Sequence, residues 1–203
     1  MDHNFITKGD INNSNKAVIF VHGRGATAQD IISLAAYFPV ATYYLIAPQA
    51  PNNTWYPYSF MAKIEDNEPY LSHSLSTLDK TVKELENNGI NTENIYFIGF
   101  SQGACLTLDY NARNAKKYGG IIAFTGGLIG EQLDPKNYTG DFNSTPIYIG
   151  SSNPDQHVPV SRVHESSSLL TNMGALVKEE IFDYMGHTIT KEEIDSAKSF
   201  IFK

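Results

Sequence analysis

The chain has 203 residues, 41% of them hydrophobic and 12% aromatic, enough apolar content for a packed core; that excludes global disorder. A net charge of −7, spread along the chain, excludes the basic stripe of a nucleic-acid surface and a polybasic membrane patch. The single cysteine, Cys105, leaves no internal disulfide, and the N-terminal residues carry no basic-then-apolar leader. No apolar run approaches the ~20 residues of a membrane span, so the expectation is a soluble, cytoplasmic protein with no nucleic-acid partner.

In chain order, short apolar runs predict strands over 17–21, 43–47, 95–98, 121–124, 146–149 and 175–182. Most are continuous rather than alternating, the pattern of strands buried on both faces of a parallel sheet. Helical patterns fall between them, at 30–38, 72–88, 102–114, 159–173 and 190–200. The clearest is 72–88, where Leu75, Leu78, Val82 and Leu85 share a face and Gly89 stands at the capping position. Thr190-Lys-Glu-Glu193 reads as a capping box opening the last helix. Strands separated by helices predict right-handed crossovers and a three-layer α/β sandwich in one domain, residues 1–203. The longest irregular segment, 49–70, exceeds an ordinary connection, and such loops tend to be functional.

The run 95–98 ends in Gly99-Phe-Ser-Gln-Gly103, and a helical pattern starts at once. A nucleophile at the carboxyl end of a strand must project into the cleft from a tight turn, where only glycine fits two residues to either side. The competing reading is a glycine-rich turn that packs closely or holds a phosphate. A serine hydroxyl needs a base, and the base needs an orienting acid. His187, in a loop after the last strand run, is the candidate base; Asp155, in a turn-rich loop after 146–149, is the candidate acid. His164 lies within a helical pattern, and Asp183, Asp134 and Asp141 are placed less favourably. Asp155, His157 and His164 match no zinc spacing, and neither a metal nor another cofactor is expected. The backbone N–H groups of Gln102 and Arg24 are the candidate oxyanion donors, the latter in the glycine-rich loop His22-Gly-Arg-Gly25. The Arg24 side chain is read two ways, as an attractor of anionic substrate or as a solvated group. His22 is expected to brace its loop, and Cys105 to pack as a small apolar residue. Trp55, Tyr56 and Phe60 from the long loop, with Leu128 and Ile129 from a second segment, are the candidate walls of an acyl pocket.

Together, His22-Gly-Arg-Gly25, Gly99-Phe-Ser-Gln-Gly-Ala104, the stretch from Asp155 to Pro159, and Gly186-His187 resemble the phospholipase/carboxylesterase family of small α/β-hydrolases. That family includes acyl-protein thioesterases and bacterial esterases. The resemblance spans nearly the whole chain. It implies a mostly parallel sheet with helices on both faces and no separate cap domain. Ser101 would be the nucleophile, Asp155 the acid, His187 the base, and Arg24 and Gln102 the oxyanion donors. It also implies a metal-free, shallow site in a chain that often pairs as a homodimer. Arg24 departs from the thioesterase branch, which has an apolar residue there, and the pattern is more like general bacterial esterases. The expected reaction is cleavage of carboxylic esters of small to medium acyl groups; the alternatives are a thioesterase or lysophospholipase of the same mechanism and a non-catalytic small-molecule binder.

Overall fold

The residues at 17–21 and 95–98 are buried, because each run is covered on both sheet faces. In the computed structural model, which describes residues 5–202, they belong to one seven-stranded sheet. Its strands are β1 (Phe5–Lys8), β2 (Ala17–Val21), β3 (Tyr44–Pro48), β4 (Ile95–Phe100), β5 (Gly120–Phe124), β6 (Pro146–Asn153) and β7 (Leu176–Asp183). Their spatial order is β1-β3-β2-β4-β5-β6-β7, with β1 antiparallel to β3 and every other pair parallel.

The helices are α1 (Ala28–Ile32), α2 (Tyr70–Asn87), α3 (Gln102–Arg113), α4 (Val160–Asn172) and α5 (Lys191–Ile201). Ile31, Ile32, Ile194 and Ala197 from α1 and α5 pack with Val18, Phe20, Ile98 and Phe124 on one sheet face. Leu78 and Leu85 of α2, Leu108 of α3 and Leu170 of α4 pack with Ile19, Phe97 and Ile149 on the other. Fully burying one such side chain stabilises by roughly 1.5–3 kcal/mol, so both layers are held chiefly by apolar contact. Among the described residues, no helix is long and apolar enough to cross a membrane.

Three features differ from the sequence expectation. β1 was not expected, because two of its four residues are half-buried, two are exposed, and they carry no continuous apolar run; pairing along the edge of β3 defines it. The segment expected as one helix over 30–38 is α1 followed by a 3-10 turn, Ser33–Tyr37, with Thr27 and Asp30 forming a complete capping box. The box expected at α5 is half formed: the Thr190 hydroxyl accepts from the Glu193 amide, but the Glu193 carboxyl turns into the protein.

Candidate active site

Ser101 follows β4 directly and precedes α3, with φ of 53° and ψ of −120°. That positive φ is strained for a residue with a Cβ, and two backbone hydrogen bonds hold it. The Ser101 amide donates to the Phe124 carbonyl at 2.9 Å, and its carbonyl accepts from the Cys105 amide at 3.0 Å. The flanking glycines are required by space. A methyl on Gly99 would stand 2.6 Å from the Gly103 carbonyl oxygen. One on Gly103 would stand 2.5 Å from that of His22, and closer still to that of Val21. The turn thus jams α3 against the ends of β2 and β4 and leaves the serine hydroxyl facing outward.

The other two polar side chains arrive from neighbouring strand ends. The His187 Nε2 lies 2.7 Å from the Ser101 Oγ, and its Nδ1 lies 2.9 Å from the Asp155 Oδ2. The second carboxylate oxygen of Asp155 accepts from the amides of His157 at 2.7 Å and Val158 at 2.9 Å. Burial acts to raise the Asp155 pKa. The His157 and Val158 amides and the His187 ring outweigh it and hold the carboxyl below its ordinary value. The side chain of Asp155 is shielded from solvent, while His187 keeps a partly open face. The His187 ring also packs beside Phe100 and edge-on to His157, with centroids 5.4 and 4.8 Å apart.

Two backbone segments adjoin the hydroxyl. Gln102 is the first residue of α3, so its amide has no acceptor within the helix. The loop after β2 runs past the serine closely enough that a methyl on Gly23 would lie 3.4 Å from the Ser101 Cβ. Arg24 follows in that loop. His22 is buried; its Nδ1 meets the Gly23 carbonyl at 2.7 Å, and its Nε2 accepts from the Ala50 amide at 3.1 Å. Burial lowers its pKa, so the ring is neutral, with the proton on Nδ1.

The cleft before Ser101 encloses about 570 Å³. Tyr56 and Phe60 line it, joined by Pro57, Tyr58, Ser59, Cys105, His157 and Val158. Trp55, Leu128 and Ile129 do not line it. The Trp55 indole N–H donates to the His22 carbonyl at 2.8 Å, which turns the ring into the core. Leu128 and Ile129 are buried, their amides donating to Ser166 Oγ and to Asp109. These three residues support the wall from behind. The Cys105 thiol is buried, and burial pushes its pKa up to about 12. His164, weighed with Asp155 and His157 as a metal set, instead pairs with Glu179 at 2.6 Å on the surface.

The wall is hooked in place by its backbone. Gln102 accepts from the Trp55 amide at 3.0 Å and donates to the Tyr56 carbonyl at 2.8 Å. The Arg24 guanidinium donates to Thr54 Oγ1, the Pro57 carbonyl and the Tyr58 carbonyl at 3.0, 2.9 and 2.7 Å. Ser74 of α2 donates to the Trp55 carbonyl, and Asn67 bonds the Tyr58 amide and the Ser59 carbonyl. Sequence reasoning missed the anchoring roles of the Gln102 and Arg24 side chains. The only signal was their position on the loops that flank the serine.

A mostly parallel sheet carrying a serine on a strained strand-to-helix turn, with its cleft at the carboxyl ends of the strands, defines an α/β-hydrolase. The sequence matches the phospholipase/carboxylesterase family over residues 1–203, and the chain belongs to that family of hydrolases. It is similar to a phospholipase/carboxylesterase of Dyadobacter fermentans, 51% identical, with a TM-score of 0.98 over 100% of this chain and 97% of that one. It is 28% identical to acyl-protein thioesterase 1 of Saccharomyces cerevisiae over 94% of this chain and 93% of that protein. Esterase PE8 shares the fold, with a TM-score of 0.79 at 22% identity.

Proposed function

We propose that the chain is a serine carboxylesterase in which Ser101, His187 and Asp155 form the catalytic triad. The supporting observation is the unbroken hydrogen-bonded path from Asp155 through His187 to Ser101. In this reading the Ser101 Oγ attacks the acyl carbon as His187 Nε2 takes its proton. Asp155 holds the imidazole through Nδ1 and stabilises the imidazolium. The tetrahedral oxyanion sits between the amides of Gln102 and Arg24, where donors of this kind are each worth about 2.7–4 kcal/mol. His187 then protonates the leaving alkoxide, and a water activated by the same ring releases the acyl group.

A cleft of about 570 Å³ walled by Tyr56, Tyr58 and Phe60 suits small to medium acyl groups. The test is turnover of a chromogenic ester by the wild type and by Ser101→Ala, with fluorophosphonate labelling of both. The variant should lose turnover by about 10⁴-fold or more and all labelling. Equal turnover in the two proteins overturns the assignment, and a wild type that neither labels nor turns over ester supports the binder.

The thioesterase reading draws on the named activity of the yeast relative. Comparing kcat/KM for oxygen and sulfur esters of one acyl group separates the two, since the same triad serves both.

A further inference from the structure

Arg24 brings a fixed cation into the cleft without an anion to meet it. A guanidinium has five N–H donors. Three hydrogen bonds, all made by Nη1 and Nη2, go to Thr54, Pro57 and Tyr58, and every acceptor is a neutral oxygen. The Nε–H and one Nη2–H therefore remain without a partner. Among the described residues Arg24 forms no ion pair, in a chain with 22 acidic and 15 basic residues. No Asp, Glu or Lys joins it in lining the cleft, so nothing there offsets its charge.

A solvated surface arginine is mobile, and holding it in one geometry costs side-chain entropy. Arg24 is exposed, but its three hydrogen bonds to the wall hold the head group in one geometry. A planar fork with donors to spare, lining the same cleft as the Ser101 hydroxyl, matches the two oxygens of a carboxylate.

We propose that Arg24 binds a carboxylate on the substrate, so that the preferred ester carries a free carboxylate besides the bond that is cleaved. This deepens the esterase reading and rests on it. The carboxylate has two possible sources, a dicarboxylic half-ester with the charge on the acyl side or an ester of a carboxylated alcohol.

The test compares matched pairs. The acyl arm sets the 4-nitrophenyl half-ester of adipic acid against methyl 4-nitrophenyl adipate; the alcohol arm sets 4-acetoxybenzoate against its methyl ester. In one arm the charged member is expected to lead by about tenfold in kcat/KM, mainly through KM. The lead should shrink with added salt. Arg24→Gln should abolish the lead and Arg24→Lys should keep part of it, while the neutral ester reports any slackening of the wall. Neutral esters preferred in both arms, or a lead unchanged in Arg24→Gln, overturns the proposal. If Arg24→Gln does not fold, the wild-type pairs and their salt dependence decide.

Failure of the esterase reading is a separate outcome, in which no ester of either pair is turned over. Calorimetry of adipate with Ser101→Ala then decides the Arg24 proposal by itself. Saturable binding of adipate but not of adipamide supports it, and equal or absent binding overturns it.

Discussion

Gln102 Nε2 donates to the Tyr56 carbonyl at 2.8 Å, joining the first turn of α3 to a loop residue 46 positions earlier. The same side chain accepts from the Trp55 amide, so one buried amide group satisfies both an N–H and a C=O of the wall. Gln102→Ala strands those groups, at a cost of about 1–3 kcal/mol. Trp55 is the only tryptophan, so its emission reads the state of the loop. The variant is expected to show a red-shifted emission maximum and a raised KM with a smaller fall in kcat. An unchanged spectrum with unchanged kinetics would show that the other hooks suffice.

Gly103 lies inside α3, where alanine normally stabilises by roughly 1 kcal/mol. A methyl at this position meets the backbone carbonyls of Val21 and His22, which belong to the central sheet and its following loop and have little room to move. Gly103→Ala is therefore expected to destabilise by more than ~3 kcal/mol, read as a lowered urea midpoint or loss of soluble protein. A midpoint at or above that of the wild type would contradict the clash.

Glu193 is buried against β6: a methyl on Gly150 would lie 2.9 Å from its Cγ and Cδ, and neither carboxyl oxygen has a hydrogen-bond partner. Burial pushes its pKa up to about 8 from an ordinary 4.5. Between these values the unfolded chain releases a proton that the folded chain keeps. Stability from this group is whole below pH 4.5 and is lost as pH rises through about 8, on the order of 1 kcal/mol per pH unit. Glu193→Gln removes that slope. Its stability relative to wild type is expected to improve between pH 5.5 and 7.5 in urea titrations; parallel curves would refute the shift.

Cys105 lies at the floor of the cleft, yet its thiol is buried and its pKa is pushed up to about 12. The thiolate is the reactive form, so the native protein should react with a disulfide reagent at neutral pH only as fast as it opens. Urea should release one thiol equivalent. Rapid stoichiometric reaction of the folded protein would show that the floor is open.

The core strands were legible because continuous β-branched and aromatic runs have few ways to be buried other than in a two-sided sheet. β1 was not, because pairing with β3, and not its own composition, makes Phe5–Lys8 a strand. That Ser101, His187 and Asp155 meet was legible in their order and context: each comes just after a strand, at the carboxyl-end rim of the sheet. The wall was half legible. Its aromatics marked the loop, but which of them face the cleft depends on hydrogen bonds such as that from Trp55 to His22, which no pattern along the chain encodes. Glu193 misled for a related reason, since its spacing fits a cap while Gly150 opens room for it inside.

The wall of the cleft is fastened largely through peptide groups: the carbonyls of Trp55, Tyr56, Pro57, Tyr58 and Ser59 and the amides of Trp55 and Tyr58. Peptide carbonyls persist whatever residue occupies the position, and peptide amides persist for every residue but proline. Tyr58 has an exposed side chain and can be exchanged for any residue but proline while the scaffold keeps its shape, whereas the Ser59 hydroxyl also accepts from the Met61 amide; position 58 is therefore a natural place to retune selectivity, by evolutionary drift or by a randomised library.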